Sequence, residues 1–121
     1  MRRASFAVPL ADGNEADLGV TVLGGSAGGL AANVNRWRTQ LGLTELDPEE
    51  VSRSGEAVTA GGVTFTLYDL AGNANGSRTR MLAAIATFAG ESWFFKLTGP
   101  DVGVAAQKPA FVSFLRSVQT R

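Results

Sequence analysis

The chain contains no cysteine and no histidine. Those two absences exclude disulfides, thiolate nucleophiles, Ser-His and Cys-His catalytic pairs, and metal sites built on imidazole or thiolate. An excess of either charge is missing too, because 11 Lys and Arg balance 11 Asp and Glu. Zero net charge removes the long-range attraction expected of a nucleic-acid or anionic-membrane binder. Nine Arg and two Lys, dispersed along the chain, form no basic stripe, so no nucleic-acid partner is expected. Long apolar runs are also lacking. The longest, Met81 to Ala89, falls far short of the roughly 18 residues of a membrane span and contains Thr87. Met1-Arg2-Arg3 is basic, but Ala4 to Leu10 is too short and too alternating for the apolar part of a secretory leader.

What remains suits one globular domain over residues 1–121. At 45% apolar and 18% charged residues the chain can close a core. A chain of this size buries roughly two thirds of its unfolded surface.

Strand patterns dominate. Ala4 to Val8 alternates until Pro9 stops it, and Leu18, Val20 and Val22 share one face after the turn at Ala11-Asp12-Gly13-Asn14, which predicts a hairpin. Gly24 to Gly29 reads as a flexible strand-to-helix joint, and Ser26 spoils any dinucleotide fingerprint in it. Leu30, Val34, Trp37 and Leu41 then form one helical stripe closed by Gly42. Asp47-Pro48-Glu49-Glu50 opens a short second helix. Strands follow over 56–59, 63–70, 80–89 and 92–97, with a polar loop over 71–77 that contains the hairpin signal Asn75-Gly76. Trp93 and Phe95 alternate with Phe94 and Lys96, so the last strand is expected at the centre of the sheet. Thr98 to Asp101 should break that strand, with Asp101 as a helix cap. Pro109 either kinks the final helix or starts a new one, and Phe111, Phe114, Leu115 and Val118 form its stripe. Short turns between consecutive strands imply an α+β fold, a mainly antiparallel sheet with two main helices packed on it.

Few residues offer chemistry. Asn33, Asn35, Arg36 and Gln40 make an unusual amide-rich string in a helix, and they are the candidate partner-binding residues. Amides on such a flank also serve to satisfy nearby backbone. Trp37, Tyr68 and Trp93 are candidates for lining a pocket between helix and sheet, though an aromatic strand more commonly builds core. The carboxylates at Asp47, Glu49 and Glu50 are explained by helix capping, and Asp69 and Glu91 carry no sign of activation. No catalytic residue, metal site or cofactor is expected.

Two strings are familiar together. They are Gly28-Gly29-Leu30 through Asn33 to Leu41, and Trp93 to Pro100 through Gln107 to Phe111. With Arg3-Ala4-Ser5-Phe6 they resemble an uncharacterised bacterial domain of predicted secreted proteins and lipoproteins, notably of planctomycete type. The likeness covers most of the chain and is weakest from Thr44 to Thr79. The order of elements is also similar to the PsbP-like fold, whose members are assembly, binding or cofactor-associated modules rather than enzymes. This resemblance implies a non-catalytic binding or assembly domain outside the cytoplasm, with a protein partner. A small-molecule carrier or weak enzyme, using a pocket near Trp37 and Trp93, is the alternative.

Overall fold

The computed structural model describes residues 2–11, 13–24, 29–88 and 90–118. The order along the chain is β1 (Arg2–Pro9), β2 (Glu15–Gly24), α1 (Leu30–Gln40), α2 (Pro48–Ser54), β3 (Glu56–Ala60), β4 (Val63–Ala74), β5 (Ser77–Phe88), β6 (Glu91–Pro100), α3 (Asp101–Ala106) and α4 (Lys108–Ser117). Every strand pairing is antiparallel, and the sheet runs β1-β2-β6-β5-β4-β3. The fold is therefore α+β, and β6 lies inside the sheet as its two-sided aromatics require.

Period-two alternation sorts the core into two layers. Phe65 and Leu67 of β4, Leu82, Ala84 and Ala86 of β5, and Phe95 and Leu97 of β6 pack with Val104 of α3 and with Phe111 and Leu115 of α4. The intervening Tyr68, Leu70, Met81, Ala83 and Phe94 pack with Val34 and Trp37 of α1, Leu41 just beyond it, and Val51 of α2. Helices thus cover both faces of the central strands. Both apolar stripes read from the sequence meet the sheet, one on each side.

Local chemistry explains the helix starts. Asp47 accepts the Glu50 backbone N–H at 2.8 Å, while the Glu50 carboxylate accepts the Asp47 N–H at 3.2 Å, a reciprocal cap at the start of α2. At Pro109 a new helix begins: α3 ends at Ala106, and the proline occupies the first turn of α4, where its missing N–H costs nothing.

Three expectations are corrected. Residues 71–77 are not a loop. β4 runs to Ala74 and β5 resumes at Ser77, so only Asn75 (φ 52°) and Gly76 (φ 82°) form the turn. Positive φ at both positions matches the twist of the strands it joins. The strand β6 likewise does not break at Thr98, because Thr98, Gly99 and Pro100 stay paired with Met81, Arg80 and Thr79. Asp101 consequently begins α3 without capping it; Pro100 holds the cap position, and the Asp101 carboxylate is engaged by arginines. Gly25 to Gly28, the body of the glycine-rich joint, lies outside the described residues, as do Asp12 of the first turn and Ala89.

Candidate functional site

With histidine and cysteine absent, carboxylates make up most of the acid–base groups in the chain, so their placement bears most on what chemistry is in reach. Asp69 shares the parity of Phe65 and Leu67, and Arg78 and Arg80 share that of Leu82, so all three point to the α3/α4 face. There they join a chain of six alternating charges. Arg78 Nε donates to Asp101 Oδ2 at 2.9 Å, and Arg80 Nε donates to Asp101 Oδ1 at 2.7 Å. Arg80 Nη1 donates to Asp69 Oδ1. Lys108 Nζ donates to Asp69 Oδ2 at 3.1 Å and to Glu56 Oε1 at 3.0 Å.

Three cations and three anions cancel. The hydrogen bond from Arg80, then that from Arg78, holds the Asp101 carboxyl below the usual aspartate value. Its bond to Glu56, then that to Asp69, raises the Lys108 ammonium. Arg80 is raised in the same way, chiefly by Asp101. All three groups are pushed away from neutrality, the opposite of what proton transfer near pH 7 requires. Among the described residues no cluster of carboxylates could hold a metal ion either. The chain of charges is a clamp that ties β3, β4 and β5 to α3 and α4.

The clamp gives stability a definite pH dependence. Because the folded-state Asp101 value is depressed, its contribution is complete above the ordinary aspartate value of 3.8 and is lost as pH falls below that toward and through the lower folded-state value. Lys108 is raised, so its contribution persists below 10.5 and is lost only above that. Urea midpoints are expected to stay flat between about pH 5 and pH 9 and to fall below about pH 4. Arg80→Met should remove much of that acid slope, and an unchanged slope in the variant would rule out the clamp.

The sequence-derived candidates occupy the other face, with one exception. Asn33 is buried; its Nδ2 donates to the Gly29 carbonyl at 2.8 Å, and its Oδ1 accepts from Arg36 Nη2 at 2.6 Å. Asn35 donates to the Leu46 carbonyl at 2.7 Å and accepts the Leu46 N–H at 2.8 Å, which pins the connection between α1 and α2. These two amides satisfy backbone. Arg36 and Gln40 are exposed on α1. Trp37 and Tyr68 are buried together beneath α1 and α2. The Tyr68 hydroxyl has no partner among the described residues, and burial raises its pKa. Trp93 belongs to the opposite face, stacked on Phe88 at 5.2 Å and edge-on to Phe95. One pocket lined by both tryptophans is therefore not formed, because the sheet stands between them.

What the structure opens instead is a groove of about 290 Å³ at the N-terminal end of α1. Its wall is Gly29, Leu30 and Asn33, and its floor is Thr64, Thr66, Ile85, Thr87, Ser92 and Phe94. The register explains the floor, since Thr66 pairs with Ile85, Ile85 with Phe94, and Thr87 with Ser92 across β4, β5 and β6. A smaller notch of about 60 Å³ flanks the other side of α1, where Arg36 and Lys96 approach Trp37. There Lys96 Nζ lies 5.7 Å from the indole centroid, a cation–π distance.

No family model and no curated protein matches the chain. Its fold is shared. PA94 from Pseudomonas aeruginosa, a protein of unknown function suggested to be a regulator, is similar with a TM-score of 0.61 and 14% identity, over 98% of this chain and 82% of that one. A structure from Bacteroides thetaiotaomicron reaches a TM-score of 0.49 at 11% identity, over 88% of this chain and 34% of its own. At 14% identity the likeness to PA94 speaks for the fold alone.

Of the groove residues, sequence reasoning had singled out only Asn33. Thr64, Thr66 and Thr87 carry a signal in hindsight: they are the polar positions of strands whose other face is apolar, so they mark where a second covering layer stops. The charge chain was readable from the parity of Asp69, Arg78 and Arg80 against their buried strand neighbours.

Proposed function

We propose that this chain is a non-catalytic binding or assembly domain, and that the groove beside α1 receives a segment of a partner protein. One observation carries the reading. The apolar stripe of α1 and the sheet beneath it both continue past the place where they touch. Val34, Trp37 and Leu41 are buried, yet Leu30, in line with them, is 38% exposed above Ile85 and Phe94. Uncovered apolar surface next to an already packed stripe is what a docked apolar side chain extends.

The floor supports a particular kind of guest. Threonine and serine hydroxyls around Ile85 and Phe94 suit a segment that mixes aliphatic and small polar side chains. A groove of about 290 Å³ sits at the lower edge of the roughly 300–1,000 Å³ common for enclosed small-molecule sites. It accommodates a few side chains of a peptide better than a cofactor. A location outside the cytoplasm and kinship with PsbP-like modules of secreted proteins and lipoproteins belong to the same proposal, and they rest on the strings around Asn33 to Leu41 and Trp93 to Pro100.

Thr87→Arg tests it. Thr87 is exposed on the groove floor, so the variant should keep the wild-type melting temperature while filling the site. Peptides selected on the wild-type domain from a random display library are expected to shift the amide resonances of Leu30, Thr66, Ile85 and Thr87. They should lose about tenfold or more in affinity for the variant. Selected peptides that leave those resonances in place, or that bind Thr87→Arg as well as wild type, would defeat the reading.

A further inference from the structure

The groove does not account for the pairing of Asn33 with Arg36. The two stand three residues apart, so both lie on one flank of α1. Asn33 is 2% exposed, and asparagine is a poor helix former, so its place inside α1 needs a reason. Its Nδ2 donates to the Gly29 carbonyl at 2.8 Å, and its Oδ1 accepts from Arg36 Nη2 at 2.6 Å. The buried amide thus fixes an arginine that would otherwise roam over the surface. It leaves the other N–H donors of the guanidinium open.

Arg36 forms part of the wall of the notch of about 60 Å³ between α1 and the strands β2 and β6. Lys96 reaches the same notch from the sheet, with Nζ 5.7 Å from the Trp37 ring centroid. Two cations thus meet at one recess from two separate elements. Among the described residues no carboxylate lines the notch, and no acid pairs with Arg36. The acids of β2, Glu15 and Asp17, line a separate hollow with Ser5, Ala7 and Thr98. Like charges gathered in one recess leave a standing positive potential there. Leu23, Trp37 and Phe94 supply apolar wall that keeps water back and strengthens it.

We infer that the notch is a carboxylate-binding site, in which Arg36 and Lys96 hold one carboxylate between them beside Thr21. Size selects this anion over a larger one. A recess of about 60 Å³ holds roughly two water-sized groups of about 30 Å³ each, which matches the oxygens of a carboxylate and falls short of those of a phosphate. The planar guanidinium suits it too, since its fork of N–H donors fits a carboxylate edge. The carboxylate comes either from an acidic side chain or from a free monocarboxylic acid, and the test separates those sources. The notch shares Asn33 and Phe94 with the groove but opens on the other flank of α1, so this site stands without the peptide reading.

Amide and indole resonances of the whole chain test it, titrated at pH 7 with sodium acetate replacing sodium chloride at constant ionic strength. The Trp37 indole and the amides of Thr21, Leu23 and Lys96 should shift together and saturate, with a dissociation constant of about 10 mM. The Trp93 indole, on the other face of the sheet, should stay in place. Arg36→Gln, at an exposed position, and Lys96→Met should each weaken acetate about fivefold or more, while Lys96→Arg retains it. A blocked tripeptide with a central glutamate is then compared with acetate and with its glutamine counterpart. Glutamate about tenfold tighter than acetate assigns the site to an acidic side chain, and equal or weaker affinity assigns it to a free acid. Shifts that stay linear to about 200 mM acetate, that survive Arg36→Gln, or that the glutamine peptide reproduces would each overturn the inference. So would inorganic phosphate that saturates the same resonances at a lower concentration than acetate. If Lys96→Met loses the fold, the Arg36→Gln titration decides alone.

Discussion

Replacing Trp37 with alanine is expected to lower the unfolding free energy by about 3–5 kcal/mol, the range for removing a large aromatic from a packed core. The indole is 2% exposed and sits between α1 and the sheet, edge-on to Phe94 with centroids 6.3 Å apart. Val34, Leu41, Tyr68 and Leu70 belong to the same buried layer. Two separate losses add up. The transferred ring surface goes, and the cavity left behind cannot collapse easily, because α1 is held to its neighbours: Asn35 bonds both backbone groups of Leu46 in the connection to α2, and the Leu41 carbonyl accepts the Asn73 N–H of β4. Lys96 also loses the ring it sits over, a contribution of about 0.5–1 kcal/mol at a partly exposed site. For a domain with a total stability of about 5–15 kcal/mol, such a loss is a large fraction of the whole. Urea unfolding followed by circular dichroism measures it, with Trp37→Phe expected to retain most of the stability. A near-neutral Trp37→Ala would show that α1 is not seated on the sheet by this side chain, and the groove formed by its N-terminal end would lose its wall.

Trp37 was readable from sequence because helical spacing is a local property. Leu30, Val34, Trp37 and Leu41 recur at i, i+4, i+7 and i+11 whatever the rest of the chain does. The start of α2 at Asp47-Pro48 was legible for the same reason, since a cap and its proline act within one turn. The central position of β6 followed from aromatics on both of its faces. Readings failed where the outcome depended on partners far along the chain. Residues 71–77 carry loop composition, yet all but Asn75 and Gly76 are strand, because Ala71, Gly72, Asn73 and Ala74 find ladder partners in Arg80, Thr79, Arg78 and Ser77. That rim of the hairpin is largely solvated at Asn73, Ser77 and Arg78, so no apolar alternation announces it. Asp101 has the residue type of a cap, but two arginines on a neighbouring strand engage it first. The groove was hidden for a related reason. Its floor residues are ordinary threonines, and what makes them a site is the point at which α1 stops covering the sheet. Trp37 and Trp93 resemble each other in sequence, yet strand parity and helix placement send them to opposite faces.

Gly72→Ala, in the stretch that reads as a loop, is expected to cost about 3 kcal/mol, as overpacking at a rigid backbone contact does. Gly72 is buried in β4, and a Cβ built on it would overlap the Leu41 carbonyl oxygen and come within 3.0 Å of the Leu41 side chain. The obstacle is backbone, which cannot rotate away as a flexible side-chain tip would. That carbonyl is already committed, for it accepts the Asn73 N–H at 2.9 Å and fixes the end of α1 to β4. The helix end has no slack of its own. Gly42, at φ 71°, turns the chain back after the Leu43 N–H bonds the Arg38 carbonyl, and a Cβ there would stand 3.3 Å from the Asn73 carbonyl. Relief of the clash therefore requires α1 to lift from the sheet, which breaks the Leu41–Asn73 bond and loosens the packing of Trp37. Gly24→Ala is the matching control, since its Cβ would meet nothing within 4 Å and its backbone needs no left-handed conformation. Thermal and urea unfolding of the two variants should differ sharply: Gly24→Ala within about 0.5 kcal/mol of wild type, Gly72→Ala well below it. Equal stabilities would mean that the close approach of α1 to β4 is not required by the fold, and the seat of the helix would then have to be sought in its apolar stripe alone.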